Sequence, residues 1–380
     1  MRTTRERGFS LIELLISMAV GLIVILAVSS LFKTGVDTTF LITQRAETQQ
    51  SLRAGMEMMV KDIGQAGAGL PTGGLQLPTG GAATLSNFAC NQTPYCYLTG
   101  FNYPTVPSNN SMYGIIPGWN NGVEKSVAIA NAPGARNDSL TSIYCDYNYP
   151  LFEYNITFAS ATQITLAANP IYVPAPPPIN GTGGINTGDL ILLVVSAPPA
   201  PGNGTNLVQT GAAVGEVTGV PNATTINFAG GDPLNMNQSG GGITNNIATA
   251  AAAAAAAGAA ANITACRLFA VTYFIEVPAA GGAVQTPRLM RQVNGLAAVP
   301  VADNILNMQI SYDVIQANGT VDANQPNPLG VVPVESPALI QKVNIVLMGQ
   351  SLTSMGNKSQ SMYLATSVSA RNMSFRNLYQ

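Results

Sequence analysis

One carboxylate stands where a charge is costly. A short basic stretch ends at Gly8, and an apolar run from Phe9 to Phe32 follows with a single charge, Glu13, five residues past the glycine. A charged side chain inside a bilayer costs on the order of 2.5–3.5 kcal/mol. Such a group protonates or pairs with a cation, so Glu13 asks for a positive partner. The other side chains with chemical potential are Cys90, Cys96, Cys145 and Cys266 and a polar loop carrying Asp313, Asn318, Asp322 and Asn324. The cysteines all follow the apolar run, where an oxidising compartment favours disulfides. Four cysteines allow three pairings. The short loop between Cys90 and Cys96 favours Cys90–Cys96 with Cys145–Cys266, against the alternative that some stay buried as free thiols.

Enzyme chemistry finds little to stand on. The chain contains no His, which removes Ser–His–Asp and Cys–His arrangements. It also removes the usual zinc sets, and no two cysteines are spaced C-x₂-C. The Asp313–Asn324 loop offers oxygen ligands, but its spacing does not fit a calcium-binding EF-hand, and a plain Asn/Asp turn explains it better. No phosphate-binding G-x-x-x-x-G-K-[ST] loop occurs. We therefore expect no enzyme, no cofactor and no metal. Only 9% of residues are charged, against roughly 25% in an average globular protein. With 16 Lys and Arg the chain suits nucleic acid poorly, because phosphate neutralisation needs cations. Its net charge of −2 gives no reason to expect a polyanion.

The elements that must position Glu13 begin in the same stretch. Leu14 to Phe32 is free of charge and, at about 1.5 Å per residue, spans roughly 28 Å, close to the hydrocarbon thickness of a bilayer. A cleaved secretory signal has a shorter core and a small-residue cut site. A plain anchor fits the length but leaves Glu13 and the Gly8–Phe9 junction unexplained. Arg2, Arg5 and Arg7 precede the span, so the leader lies on the cytoplasmic side and everything after Lys33 lies outside. Leu52, Met56, Met59, Val60 and Ile63 keep a helical stripe going, with Glu47, Arg53, Glu57 and Lys61 on the other faces. Gly64, Gly67, Gly69 and Pro71 mark its end. The spacing thus predicts a single helix of roughly 55 residues, half in lipid and half against a head.

Beyond residue 71 the pattern turns to short β runs between turns. Strands are expected at Val127–Ala130, Ser139–Tyr144, Asp189–Val195, Phe269–Val277, Leu306–Val314, Val343–Leu347 and Ser361–Ser369, with a hairpin over Ile156–Leu166. The Ala tract 250–261 has high helical propensity but no periodic apolar face, which leaves a short surface helix or a low-complexity insertion. The expected fold class is α+β. The boundaries are a leader at 1–8, a transmembrane segment at 9–33, a stalk helix at 34–70 and a β-rich head at 71–380.

The string Gly8-Phe9-Ser10-Leu11-Ile12-Glu13-Leu14-Leu15 resembles the type IV prepilin leader junction. Later segments are similar to the PilW-like minor pilins. Asp62-Ile63-Gly64-Gln65-Ala66-Gly67 resembles that family's helix end, Asn137–Thr141 its first head strand and Gly188–Leu192 a second. Arg288-Leu289-Met290-Arg291 with Ala302–Tyr312 resembles the stretch before its final strands, and Thr366–Asn372 its closing strand with Arg-Asn. The GspJ-like pseudopilins of type II secretion share the anchor and a similar head.

The resemblance implies a pilin-like subunit cut by prepilin peptidase between Gly8 and Phe9 and methylated on the new Phe9 amine. Glycine suits that position because a side chain would obstruct the peptidase. Glu13 would pair with the Phe9 ammonium of a neighbouring subunit, against the simpler reading that it snorkels to the cytoplasmic headgroups. The implied partners are other major and minor pilins, the inner-membrane assembly platform and a PilY-like tip adhesin. The implied location is the inner membrane with a periplasmic head, then the pilus. The large head and the cysteine positions point to a minor subunit taking part in pilus initiation or the tip complex. The alternative is a pseudopilin of a type II secretion system.

Overall fold

The computed structural model describes residues 10–71, 74–78, 111–118, 137–199, 206–238, 246–276, 287–316, 318–326, 337–351 and 360–373. Its first element is one unbroken helix, α1 (Leu11–Gln65, 55 residues). No proline interrupts it, and the glycine-rich exit ends it at Ala66, whose N–H bonds the carbonyl of Ile63. In chain order there follow β1 (Leu75–Gln76), β2 (Ser111–Met112), β3 (Ile115–Gly118), β4 (Ser139–Asp146), β5 (Tyr154–Ser160), β6 (Gln163–Ala168), β7 (Leu190–Ala197), β8 (Val208–Glu216), β9 (Gly219–Asn222) and β10 (Thr225–Asn227). Then come α2 (Ile247–Ala257), β11 (Asn262–Glu276), β12 (Arg288–Val293), β13 (Val299–Asp303), β14 (Ile305–Ile315), β15 (Val321–Gln325), β16 (Ile340–Gln350) and β17 (Ser361–Ser369). A long N-terminal helix followed by a β-rich region is the α+β arrangement that the sequence pattern predicts.

Among the described residues all pairings are antiparallel, and three sheets of four or more strands make up the head. β11 is the spine of a seven-stranded sheet: β4 lies along one side, while β7 and β12 share the other side end to end, pairing residues 262–268 and 271–276. β8 extends this sheet beyond β7, β13 beyond β12 and β3 beyond β4. The second sheet has the order β5-β6-β10-β9 and the third β15-β14-β16-β17. A two-stranded pair joins β1 to β2. β7 is flanked by β11 and β8, which accounts for its unbroken apolar run. Val271, Tyr273 and Ile275 point into one core and Phe274 into another, so β11 is covered on both faces.

Several expectations change in detail. β4, which the resemblance placed as the first head strand, is preceded by the short strands β1, β2 and β3. β8, β9, β10, β12, β13 and β15 were not legible as strands. The Ala tract forms α2, capped by Asn246, and it does have a buried face: Ile247, Ala250 and Ala254. That face exists because β8 presents glycines beneath it. A Cβ on Gly211 would come within 2.9 Å of the Ala253 Cβ, and one on Gly215 within 2.8 Å of Ile247 Cδ1. Val127–Ala130 lies outside the described residues.

Candidate functional site: an anchor helix locked to the head

The two halves of α1 have opposite surroundings. The apolar segment around Leu14–Phe32 is bare, with none of it buried against the head, and it is long and apolar enough to cross a membrane. The distal half carries Leu52, Met56, Met59 and Ile63 into a core shared with β4, β11, β12, β14 and β16, all four at most 5% exposed. At about 1.5–3 kcal/mol per buried side chain, these four contribute on the order of 10 kcal/mol before entropy, an upper estimate. Glycines set the closeness of approach. A Cβ on Gly55 would lie 2.9 Å from Leu289 Cδ2 and 3.2 Å from the Ala302 Cβ, and one on Gly349 would lie 2.9 Å from Thr48 Cγ2.

A polar node inside this seam fixes the helix end. Asp62 is on α1 and buried. Its Oδ1 accepts the Tyr144 hydroxyl at 2.8 Å, and its Oδ2 accepts the Tyr273 hydroxyl at 2.5 Å and Arg291 Nε at 2.9 Å. The Asp62 carbonyl also accepts the Ser142 hydroxyl at 2.8 Å. One helix residue is thereby tied to β4, β11 and β12. Burial first, and then the Asp62 carboxylate, push the Tyr144 and Tyr273 phenols well above their ordinary range. The carboxylate raises Arg291 against the effect of burial. Both phenols therefore stay neutral donors and the guanidinium stays charged. Asp62 and Arg291 both lie in sequence segments singled out above, but nothing local in the sequence pairs them. The available clue was an acid on the apolar stripe, in the last helical turn where the macrodipole disfavours it.

Past Asp62 the chain is held along β4. The Gly67 N–H bonds the Ile143 carbonyl at 2.8 Å, and the Cys145 N–H bonds the Ala68 carbonyl at 2.8 Å. Cys145 and Cys266 form a disulfide between β4 and β11, with Cα atoms 5.7 Å apart. Gly69, at φ +75°, lies so close that a Cβ there would overlap Cys145 Sγ. Cys90 and Cys96 lie outside the described residues. Beside the disulfide, Arg267 bonds Asp146 and sits over the Tyr149 and Phe269 rings.

At the other end of α1, Ser10 is the N-cap. Its Oγ accepts the Glu13 N–H at 3.2 Å, and Glu13 Oε2 accepts the Ser10 N–H at 3.0 Å, a reciprocal capping box. Glu13 therefore starts the helix as well as standing in the apolar run. Gly8 and Phe9 lie outside the described residues. The expected polar loop is a β-hairpin instead, with Asp313 on β14, Asp322 and Asn324 on β15 and only Asn318 in the turn: Asp313 accepts the Asn324 N–H and Asn344 Nδ2 and pairs with Lys342, while Asp322 bonds Gln316. Burial raises the Asp313 carboxyl, but the Asn324 N–H and the Lys342 ammonium outweigh it and hold it below the usual range.

The prokaryotic N-terminal methylation motif matches residues 3–29, a span that includes Gly8, Phe9 and Glu13. No curated protein and no solved structure matches the chain. The motif, together with a bare apolar helix long enough to cross a membrane, makes the N-terminal segment similar to those of type IV pilins and pseudopilins.

Proposed function

We propose that this chain is a minor pilin, cut between Gly8 and Phe9, methylated on the Phe9 amine, and built into a type IV pilus at its initiation or tip complex. The observation that carries this reading is the division of α1. Among the described residues its first half has no partner, while its second half is fixed to the head by an apolar seam and the Asp62 node. A helix so divided transmits its head's position to whatever packs on the bare half. In this reading the head takes up residues 71–380, and the Cys145–Cys266 link joins neighbouring strands of one sheet. Both features suit a low-copy subunit with its own head architecture.

In this reading, residues 1–8 are the leader, 9–33 cross the inner membrane, and 34–70 form the stalk that carries the head in the periplasm. The Phe9 ammonium of an adjacent subunit meets Glu13, replacing the Ser10 N–H as the partner of Oε2. That exchange fixes axial register, because a buried carboxylate and a buried ammonium each need the other. The partners are other major and minor pilins, prepilin peptidase, the inner-membrane assembly platform and a PilY-like tip adhesin.

Deleting the gene and scoring two phenotypes tests the assignment. Loss of surface pili with normal protein export is expected. Loss of export with normal pili would replace the proposal with a type II secretion pseudopilin. Glu13→Ala tests the contact: the subunit should still be cleaved and inserted, and its amount in sheared pili relative to the membrane pool should fall at least tenfold. A ratio equal to wild type would leave Glu13 as a headgroup-facing acid.

A further inference from the structure

Two buried acids in the head meet with no cation between them. Glu216, at the end of β8, and Asp232 are 3% and 6% exposed, and their carboxyls are hydrogen-bonded to each other. That bond needs a proton, because two charged carboxylates in contact repel and neither can donate. The elements around the pair supply no counter-charge. Arg267 of β11 answers Asp146, and Arg288 and Arg291 of β12 answer Glu276 and Asp62. Asp189, next to the β7 residue that pairs with Glu216, accepts the Asn186 N–H and lies 4.0 Å from Arg267. β1, β9, β10 and α2 carry no charged residue. No ion pair among the described residues reaches Glu216 or Asp232.

The two acids close a strap, residues 232–238, over the head. Asp232 folds the strap on itself: its Oδ2 accepts the Met236 N–H at 2.6 Å and its Oδ1 the Asn237 N–H at 3.0 Å. Glu216 ties the strap to β8. Its Oε2 accepts the Leu234 N–H at 2.9 Å, its N–H bonds Asn237 Oδ1 at 3.0 Å, and its carbonyl accepts Asn237 Nδ2 at 2.6 Å. These bonds seat Leu234 and Met236, at most 1% exposed, in the core that also holds Leu190, Phe274 and Met290. Gly231 leads into the strap at φ +87° with open space around it, a pivot that a side chain would stiffen.

We propose that the Glu216–Asp232 pair is a pH-sensitive latch: one shared proton holds the 232–238 strap closed, and loss of that proton above neutral pH lifts the strap and uncovers Leu234 and Met236. The latch lies in the head and does not depend on how α1 is read. Burial, chiefly, and then Asp232 outweigh the Leu234 N–H and raise Glu216 from 4.5 to about 7. A lifted strap returns Glu216 to its ordinary value. The proton therefore favours the closed strap fully below about pH 4.5, and that contribution is lost as pH rises through about 7. By linkage, the ratio of open to closed strap rises roughly 30-fold between about pH 5.5 and about pH 8.5.

Met236 reports the strap directly, because hydrogen peroxide oxidises a methionine it can reach to the sulfoxide. The test follows Met236 oxidation by mass spectrometry in the detergent-solubilised full chain at about pH 5.5 and about pH 8.5, normalised to the exposed Met58. Met59 and Met308, fully buried in the other core, report global opening. Expected is a rise of at least tenfold for Met236 at the higher pH, with Met59 and Met308 protected at both. Glu216→Gln keeps an acceptor for Leu234 and a permanent donor for Asp232, so its Met236 should stay at the low rate at both pH values. If that variant does not accumulate, Asp232→Asn supplies the donor from the other side, with the same expected loss of pH dependence. Equal Met236 rates in wild type at the two pH values, or a pH response that survives the substitution, overturns the latch. Oxidation of Met59 and Met308 in step with Met236 also overturns it, since the head would then open as a whole.

Discussion

Replacing Asp62 with Ala strikes the joint between anchor and head. Its side chain is 5% exposed, and that of its partner Arg291 is 24% exposed. Removing one member of a buried pair costs about 3–5 kcal/mol, because the other charge stays behind. The partial exposure of Arg291 lets water reach it, so its share is at the low end, about 3 kcal/mol. The Tyr144 and Tyr273 hydroxyls lose their acceptor as well, adding about 0.5–1 kcal/mol each. The sum is about 4–5 kcal/mol. For a head of this size each kcal/mol shifts Tm by roughly 2–4 °C, so Asp62→Ala should lower the Tm of the detergent-solubilised full chain by roughly 8–20 °C. Arg291→Met alone should be comparably damaging. The double variant should recover at least about 1 kcal/mol relative to additivity. A Tm within 2 °C of wild type for Asp62→Ala, or strict additivity, would refute the idea that this node holds the helix to the head.

Three further perturbations follow from the same structure. The Tyr144 and Tyr273 phenols are raised by burial from an ordinary value of 10.0. Their stabilisation is complete below about pH 10 and is lost as pH rises further, so ultraviolet titration should show two phenols that ionise only with unfolding; early, reversible ionisation of all tyrosines would contradict it. Burial, with Asp232 nearby, raises Glu216 from 4.5 to about 7. Stability from its proton is full below about pH 4.5 and lost as pH rises through about 7, so Glu216→Gln should flatten this part of the stability–pH curve and raise Tm at pH 8; an unchanged slope would remove the claim. Gly69→Ala adds left-handed strain of about 1–2 kcal/mol and an overlap with Cys145. Chemical denaturation should show a loss above 2 kcal/mol, and a wild-type midpoint would show that the exit segment is looser than described.

The parts of the fold visible in the sequence are those with a one-dimensional pattern. α1 was legible because its apolar stripe and glycine-rich stop are local. β7, β11, β14, β16 and β17 were legible because each is long and β-branched or alternating. β8 and β12 were not. β8 is rich in Gly and Ala for a reason that lies in α2, far along the chain, and β12 mixes Arg and Gln with apolar residues because its arginines answer acids on α1 and β11. Asp62 and Arg291 are 229 positions apart, a separation that no spacing rule reaches. The Ser10–Glu13 capping box was readable in principle, since Ser followed three residues later by Glu is a helix-start pattern.

The central claim is that this chain is processed as a pilin, and the N-terminus of the mature protein tests it most directly. Mass spectrometry of the membrane-extracted protein should find a peptide that begins at Phe9 with one added methyl group on its amine. A mature pool that retains Met1, or one cut after Ser29 or Ser30, would contradict it.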